Sequence, residues 1–301
     1  MGANLKEVRE RIKSVLSTQQ ITKAMKMVSA AKLRRAQQAI TQMRPYADRL
    51  NKMMVNIMSN LDSSGSSVYS QAREVDQVLL VVVTSNRGLC GAFNTNVLKM
   101  LTQEIKDHYE TQRANKKLTI LCIGKKGYDF CRRRYADCTI INNYVELFND
   151  LSFDNVSVVS KAIMNEFMNK KYDVVKVAYG RFKNAAMQFP EVVQFLPVEK
   201  LEATQEINKK TATKKADYIF EPEKETLLNE LIPSILQVSF QKYLLDTHAS
   251  EHGARMTAMD KATENADELL KELRINYNKA RQEAITKELS EIVGGAAALN
   301  G

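Results

Sequence analysis

The chain has 301 residues, 44% of them hydrophobic, and carries 44 basic against 35 acidic side chains for a net charge of +9. This composition excludes a disordered chain and allows one large domain or two ordinary ones. The basic excess favours a partner with a negative surface, whether nucleic acid, anionic lipid or an acidic protein. No apolar run approaches the roughly 20 residues of a membrane-spanning helix. Four cysteines at irregular intervals predict free thiols rather than disulfides or a zinc frame.

The first predicted element is a long N-terminal helix over residues 1–61. Apolar residues recur at intervals of three and four, and Pro45 interrupts the pattern without ending it. The turn-forming run DSSGSS follows Leu61 and ends the helix. The first 35 residues hold nine basic side chains against two acidic ones, so much of the excess charge lies on this helix. The stripe predicts an acidic protein partner or, alternatively, a nucleic acid, although no aromatic residues interleave the charges as in many nucleic-acid binders.

The middle of the chain, residues 75–220, predicts an α/β domain. Four short, apolar and β-branched runs are typical of buried strands: VLLVVVT, LTILCI, DVVKVAYGRF and EVVQFLPV. Helical patterns over 94–112 and 156–170 alternate with them. Strands that are apolar on both faces and alternate with helices favour a mostly parallel sheet covered on either side. The expected domain is therefore Rossmann-like.

A second long helix is predicted over residues 223–295, with the pair Gly294 and Gly295 ending it and residues 296–301 forming a tip. Apolar residues from Met259 to Ala284 recur nearly as a heptad seam. A helix of about 60 residues would be about 90 Å long and could not bury such a stripe alone. We therefore expect the two terminal helices to form a long antiparallel coiled coil, with the α/β domain inserted between them.

Two short motifs suggest chemistry of their own. His248, Glu251 and His252 form H-x-x-E-H, the zinc-site pattern of one class of metallopeptidase. The alternative is a pair of solvent-facing histidines on a helix. The glycine-containing turn from Thr84 to Asn94 follows the first strand, where doubly wound folds bind phosphate. It has neither G-x-G-x-x-G nor the Walker spacing, so we interpret it as a tight structural turn.

Four segments resemble the gamma subunit of F-type ATP synthase. They are ITKAMKMVSAAKLRRAQ (21–37), SNRGLCGAFN (85–94), ARMTAMDKATENA (254–266) and YNKARQEAITKELSEIVGGAAAL (277–299). They occur in the family's order and spacing and cover both ends and the middle of the chain. Residues 99–225 follow the family only in outline. The resemblance makes Glu251 part of the coiled-coil pattern and leaves the zinc peptidase and the basic nucleic-acid-binding rod as alternatives.

The resemblance implies a central-stalk rotor subunit of bacterial type, with no catalytic site, cofactor or metal of its own. Its implied partners are a hexameric ring of alpha and beta subunits, the epsilon subunit and the membrane c-ring, with no nucleic acid and no small-molecule substrate. It would couple proton transport to ATP synthesis or hydrolysis as a peripheral protein on the cytoplasmic face of the inner membrane. By position in the matched motifs, the implied rotor–stator contacts are Met25, Arg255, Arg281, Gln282, Thr286 and Glu291.

Overall fold

The structure is a computed structural model that describes residues 5–59, 69, 73–198 and 224–299. In chain order the helices and strands are α1 (Leu5–Ser59), β1 (Val78–Val83), α2 (Phe93–His108), α3 (Glu110–Ala114), β2 (Leu118–Ile123), α4 (Lys125–Arg134), β3 (Thr139–Ile141), α5 (Phe153–Met168), β4 (Val174–Phe182), β5 (Gln188–Leu196) and α6 (Lys224–Leu299). A 3-10 turn covers Leu147–Asn149. The chain divides into two compact units, a coiled-coil unit of residues 1–30 with 255–301 and a sheet unit of residues 31–254.

In the coiled-coil unit, α1 and α6 run antiparallel and are joined by polar side chains. The guanidinium of Arg9 donates to the hydroxyl of Tyr277 at 2.9 Å, and the hydroxyls of Thr22 and Thr263 lie 2.8 Å apart. Further contacts join Gln19 to Asp267 and Lys26 to Asp260. From Arg9 to Lys26 is 17 residues forward, and from Tyr277 to Asp260 is 17 residues backward. These contacts confirm the predicted antiparallel coiled coil and define its register.

The apolar seam of this unit is buried where α6 lies opposite the described part of α1. Buried seam residues are Val8 on α1 and Met259, Ala266, Leu270 and Leu273 on α6. The register places residue 281 opposite Leu5, where the described part of α1 begins. Every described side chain from 281 to 296 is exposed.

The C-terminal helix continues through Gly294 and Gly295 to Leu299, so the expectation that this glycine pair ends it is wrong. A glycine ends a helix by adopting the left-handed conformation. Neither Gly294 nor Gly295 has a positive φ. The alanines that follow are the strongest helix formers and continue the helix. Likewise, α1 continues through Pro45 to Ser59.

The sheet unit contains a five-stranded sheet in the order β3-β2-β1-β4-β5. All adjacent pairs are parallel except β4 with β5, which confirms the predicted mostly parallel sheet. Strand β1 is buried throughout. Its odd-numbered residues pack against α5 and the parts of α1 and α6 in this unit, and its even-numbered residues pack against α2 and α4. The period of two along the strand thus supplies both cores.

Four cysteines lie in the second of these cores or at its margin, and all are free thiols, as the sequence predicts.

Candidate functional site

The H-x-x-E-H motif lies within α6 but is not solvent-facing. Glu251 and His252 are only 6% and 5% exposed, and His248 is half-buried with its ring stacked on Phe148. The Nε2 atoms of the two histidines lie 3.1 Å apart. The prediction of solvent-facing histidines is wrong because this part of α6 packs on the sheet. Ser250, one residue before Glu251, donates to the backbone oxygen of Gly180 at 3.0 Å.

A structural or catalytic zinc ion needs three or more converging protein ligands. Within the described ranges, no group of three histidine, cysteine, aspartate or glutamate side chains is placed to hold a metal ion. The motif therefore supplies two imidazoles in a packed interface and no metal-binding cluster.

In the turn after β1, the polar groups form hydrogen bonds with one another and with the neighbouring backbone. The backbone N–H of Ser85 donates to Oδ1 of Asn94 at 3.0 Å, and the Ser85 hydroxyl donates to the backbone oxygen of Arg87 at 2.7 Å. The hydroxyl oxygen of Thr84 accepts from the N–H of Gly127 at 2.8 Å. Thr84 and Ser85 are fully buried. These internal bonds occupy groups that a phosphate site would turn toward a ligand.

The place between β1 and β4 is where a doubly wound sheet binds ligands, because the chain crosses over in opposite directions from it. Here Phe93 and α6 fill it. A Cβ atom on Gly180 would lie 2.5 Å from the Phe93 ring and 3.4 Å from Ser250. The N–H of Gly180 also donates to the hydroxyl of Thr247 at 3.3 Å. The interpretation of the glycine-rich turn as structural therefore has a physical basis in the packing of the unit.

We expect Gly91→Ala to destabilise the chain by about 1 kcal/mol, because Gly91 has φ of 58°, a region costly for residues with a Cβ. Gly88→Ala is the matched control, since Gly88 has no positive φ and its added Cβ would meet only Lys126 at 3.8 Å. Chemical denaturation measures both. Millimolar ATP should protect neither variant, and a saturable rise in melting temperature with ATP would contradict the structural interpretation.

The six predicted contact residues fall into three places. Met25 is half-buried on α1, and its backbone oxygen accepts from the Ser29 hydroxyl at 2.8 Å. Arg255 is only 7% exposed and so offers little surface to a partner. The other four are exposed near the end of α6: Arg281, Gln282, Thr286 and Glu291.

These four residues share one stretch of α6 that begins opposite Leu5, the first described residue of α1. Gln282 and Thr286 are four residues apart and lie on the same side, with Arg281 about 100° away. Glu291 lies 3.8 Å from the ammonium of Lys287, an exposed pair of little energetic weight. The register sets Met25 opposite residue 261, about 30 Å from Arg281 along the helix. The structure thus groups four of the six residues and leaves Met25 at a separate level.

An apolar face near the end of α6 is a feature that the sequence analysis missed. Ile285, Leu289, Ile292 and Val293 are 50%, 56%, 69% and 62% exposed and follow the spacing of a single helix face. Their spacing is visible in the sequence, but it looks like a continuation of the seam with α1. The described part of α1 does not reach them, so no described residue covers this face.

Comparison with known proteins places the whole chain in one family. The ATP synthase family profile matches residues 4–299. The ATP synthase gamma chain of Cytophaga hutchinsonii is 53% identical over 297 residues, which covers 99% of each chain. That of Christiangramia forsetii is 49% identical over 299 residues, covering 99% of this chain and all of its own. The chain belongs to the ATP synthase gamma-chain family. This confirms the resemblance found in the sequence motifs, and the findings support neither alternative, the nucleic-acid-binding rod or the zinc metallopeptidase.

Solved structures agree on the fold of this gamma-chain family member. A chain of the Euglena gracilis mitochondrial ATP synthase, solved with OSCP, F1 and c-ring in rotational state 3, matches with a TM-score of 0.63 at 22% identity. The match covers 98% of this chain and 94% of that one. A chain of the Tetrahymena thermophila mitochondrial ATP synthase central stalk and c-ring matches with a TM-score of 0.54 at 23% identity over 80% of this chain and 99% of its own. Both similarities establish the fold.

The basic stripe on α1 lies mostly on the exposed surface of this helix. Eight of the nine basic side chains between Lys6 and Arg35 are exposed, and Lys26 is half-buried in its ion pair with Asp260.

The chain is a component of an ATP synthase. Across the described residues, no helix combines the length and the apolar character that crossing a bilayer requires.

Proposed function

We propose that the chain is the central-stalk rotor of an F-type ATP synthase and transmits rotation between the membrane c-ring and the catalytic ring of alpha and beta subunits. The observation that carries this conclusion is the uncovered end of α6, where a polar edge and an apolar face project past the described start of α1. A surface of this kind, on one helix of a rod, suits insertion into a surrounding partner.

The chain performs no bond chemistry of its own in this mechanism. A rotor changes the affinity of a partner's sites only by contacting their alternative conformations unequally. The end of α6 is suited to this because its faces differ: Arg281 and Gln282 offer directional hydrogen bonds, whereas Leu289 and Val293 offer apolar contact. As the rod turns, each catalytic subunit would meet these faces in succession.

Torque also requires that the two helices do not slide past each other. The polar contacts between α1 and α6 favour a single register, because a shift of either helix would separate Thr22 from Thr263 and Lys26 from Asp260. A polar or charged pair within an otherwise apolar seam is a known means of fixing register. The coiled-coil unit can thus act as a stiff element.

The six contact residues are assigned to the interface with the ring. Arg281 and Gln282 would hydrogen-bond to a carboxylate-bearing loop of a beta subunit, and Thr286 and Glu291 would extend the same contact. Met25 would contact the ring at another level, and Arg255, only 7% exposed, would add little surface to that contact. The sheet unit would bind epsilon and the c-ring, placing this peripheral protein on the cytoplasmic face of a bacterial inner membrane.

Reconstitution tests the proposal directly. The purified chain, mixed with alpha and beta subunits from the same organism, should form a stable complex that hydrolyses ATP, whereas alpha and beta without it should show little steady-state activity. If the chain neither co-purifies with the ring nor changes its ATPase rate, the rotor assignment fails.

We expect Met25→Lys to weaken coupling while the complex still assembles. A new cation at the half-buried position of Met25 would form an extra ion pair with an acidic loop at one angle of rotation and so resist the next step. The ratio of proton transport to ATP hydrolysis in membrane vesicles should fall by about twofold or more. Met27→Lys is the matched control, because Met27 is 61% exposed and lies on a different side of the helix. Equal coupling ratios in the two variants and the parent would refute the assigned role of Met25.

A further inference from the structure

A cleft in the sheet unit lies between α1, β4 and α6 and has a volume of about 320 Å³. One wall is apolar and continuous with the core: Leu50, Ile235 and Val238 are buried there, and Met43 and Ala47 pack against them. A volume of this size with an apolar wall is within the range of small-molecule sites.

Three cationic side chains from three different elements line the same cleft: Arg44 from α1, Arg181 from β4 and Lys242 from α6. Arg181 is held by Glu191 of β5, with Nε donating to Oε1 at 2.6 Å. Within the described part of the chain, Arg44 and Lys242 form no hydrogen bond and no ion pair shorter than 4 Å. Both side chains are exposed and act on Asp246 only through space, so both can also approach an anion in the cleft.

The third observation is a mostly buried acidic residue that lines the cleft. Asp246 of α6 lines the cleft, is 6% exposed, and no described residue donates a hydrogen bond to it. A mostly buried carboxylate is stabilised by nearby cations, by a ligand or by taking up a proton. It is not explained by the ATP synthase assignment, since it belongs to neither the seam nor the exposed end of α6.

We propose that this cleft binds an aliphatic monocarboxylate, with its chain along the apolar wall, its carboxylate between Arg44 and Lys242, and one proton shared with the carboxyl group of Asp246. Each part of the ligand is complementary to one feature of the site. The cations attract the charge, the proton bridge satisfies Asp246, and the apolar wall accepts the hydrocarbon chain. A ligand held in this way would link α1 to α6 within the sheet unit. The inference is independent of the rotor proposal.

The charged surroundings of Asp246 set the direction of its pH dependence. Burial raises the pKa of Asp246 to about 6, although Lys242, Arg181 and Arg44 act to lower it and Glu191 acts to raise it. Asp48 of α1 and Tyr243 of α6 also line the cleft. Above this pKa the ionised Asp246 repels a second carboxylate, and below it the carboxyl group can donate a hydrogen bond. Binding of a carboxylate should thus strengthen as the pH falls toward 6.

Calorimetric titration of the full chain with decanoate, kept below its micelle concentration, tests the proposal. Decanoate should bind saturably and about tenfold or more tightly at about pH 6 than at about pH 8. Acetate, which has the head group without the chain, should show no binding over the same range. Failure of decanoate to bind at either pH would overturn the proposal.

Three variants separate this site from adventitious binding. Arg44→Ala combined with Lys242→Ala should weaken decanoate binding about tenfold or more. Arg49→Ala, an exposed arginine on the same helix that does not line the cleft, should not change it. Asp246→Asn, which keeps a hydrogen-bond donor and cannot ionise, should bind decanoate equally well at both pH values. Unchanged affinity in the double variant, or an unchanged pH dependence in Asp246→Asn, would overturn the proposal, with circular dichroism confirming that each variant is folded.

Discussion

Replacing Gly124 by alanine is expected to destabilise the sheet unit by about 3 kcal/mol or more. Gly124 follows β2 with φ of 99°, a conformation that side chains rarely adopt. An added Cβ would lie 2.0 Å from the backbone oxygen of Thr84 and 2.7 Å from its carbonyl carbon. The clash is with backbone, so no side-chain rotation can relieve it.

Strands β1 and β2 are held too closely to move apart and make room for the added Cβ atom. The N–H of Thr84 donates to the oxygen of Ile123 at 2.8 Å, which ties the end of β1 to the end of β2. Both strands are buried along their whole length, so a shift would disturb both cores. Gly124→Ala therefore combines an unfavourable φ with steric overlap against the Thr84 backbone, in a part of the sheet that is buried on both faces.

Denaturant unfolding followed by circular dichroism measures this effect. Gly88→Ala is again the control, because it adds the same methyl group near the same turn without a positive φ and should change stability by less than about 0.5 kcal/mol. A Gly124→Ala protein as stable as Gly88→Ala would show that the backbone at this turn is more adaptable than the contact with Thr84 implies.

The second large effect is expected from the paired change Arg281→Ala with Gln282→Ala. Both side chains are exposed on α6 opposite the described start of α1, so their removal costs the coiled coil no internal contact that the structure shows. Alanine also favours helix. The reconstituted complex, by contrast, would lose hydrogen bonds worth about 0.5 to 3 kcal/mol each at a beta-subunit loop. Steady-state ATP hydrolysis should fall about tenfold or more.

Asn278→Ala with Lys279→Ala is the matched control. It also removes one amide and one cation from adjacent exposed positions, about one helical turn earlier, where α6 still lies alongside α1. This control should retain most of the ATPase activity, and both double variants should keep the helical content of the parent chain. Full activity in the Arg281 and Gln282 variant would place the torque contact elsewhere and make Arg281 a solvated surface charge.

Much of the proposed contact site is predictable from the sequence because the family motifs are contiguous. Residues 277–299 match as one run, and this run contains Arg281, Gln282, Thr286 and Glu291. Their grouping follows from helix geometry alone, since neighbours on one short stretch of helix must share its surface. The cleft around Asp246 is not predictable, because Arg44, Arg181 and Lys242 come from three elements that are distant in the chain.

Local sequence patterns are enough to predict the two long helices, the buried strands and the mostly parallel sheet. These features depend on repeats of two, three and four residues, which a segment displays regardless of its partners. Other features depend on contacts between distant parts of the chain: the register of α1 with α6, the exposure of Ile285 and Leu289, and the burial of His252. Thr22 and Thr263 are 241 residues apart, and a heptad-like seam is compatible with several alignments. Burial depends on what packs against a side chain from elsewhere in the chain, and no local pattern contains that information.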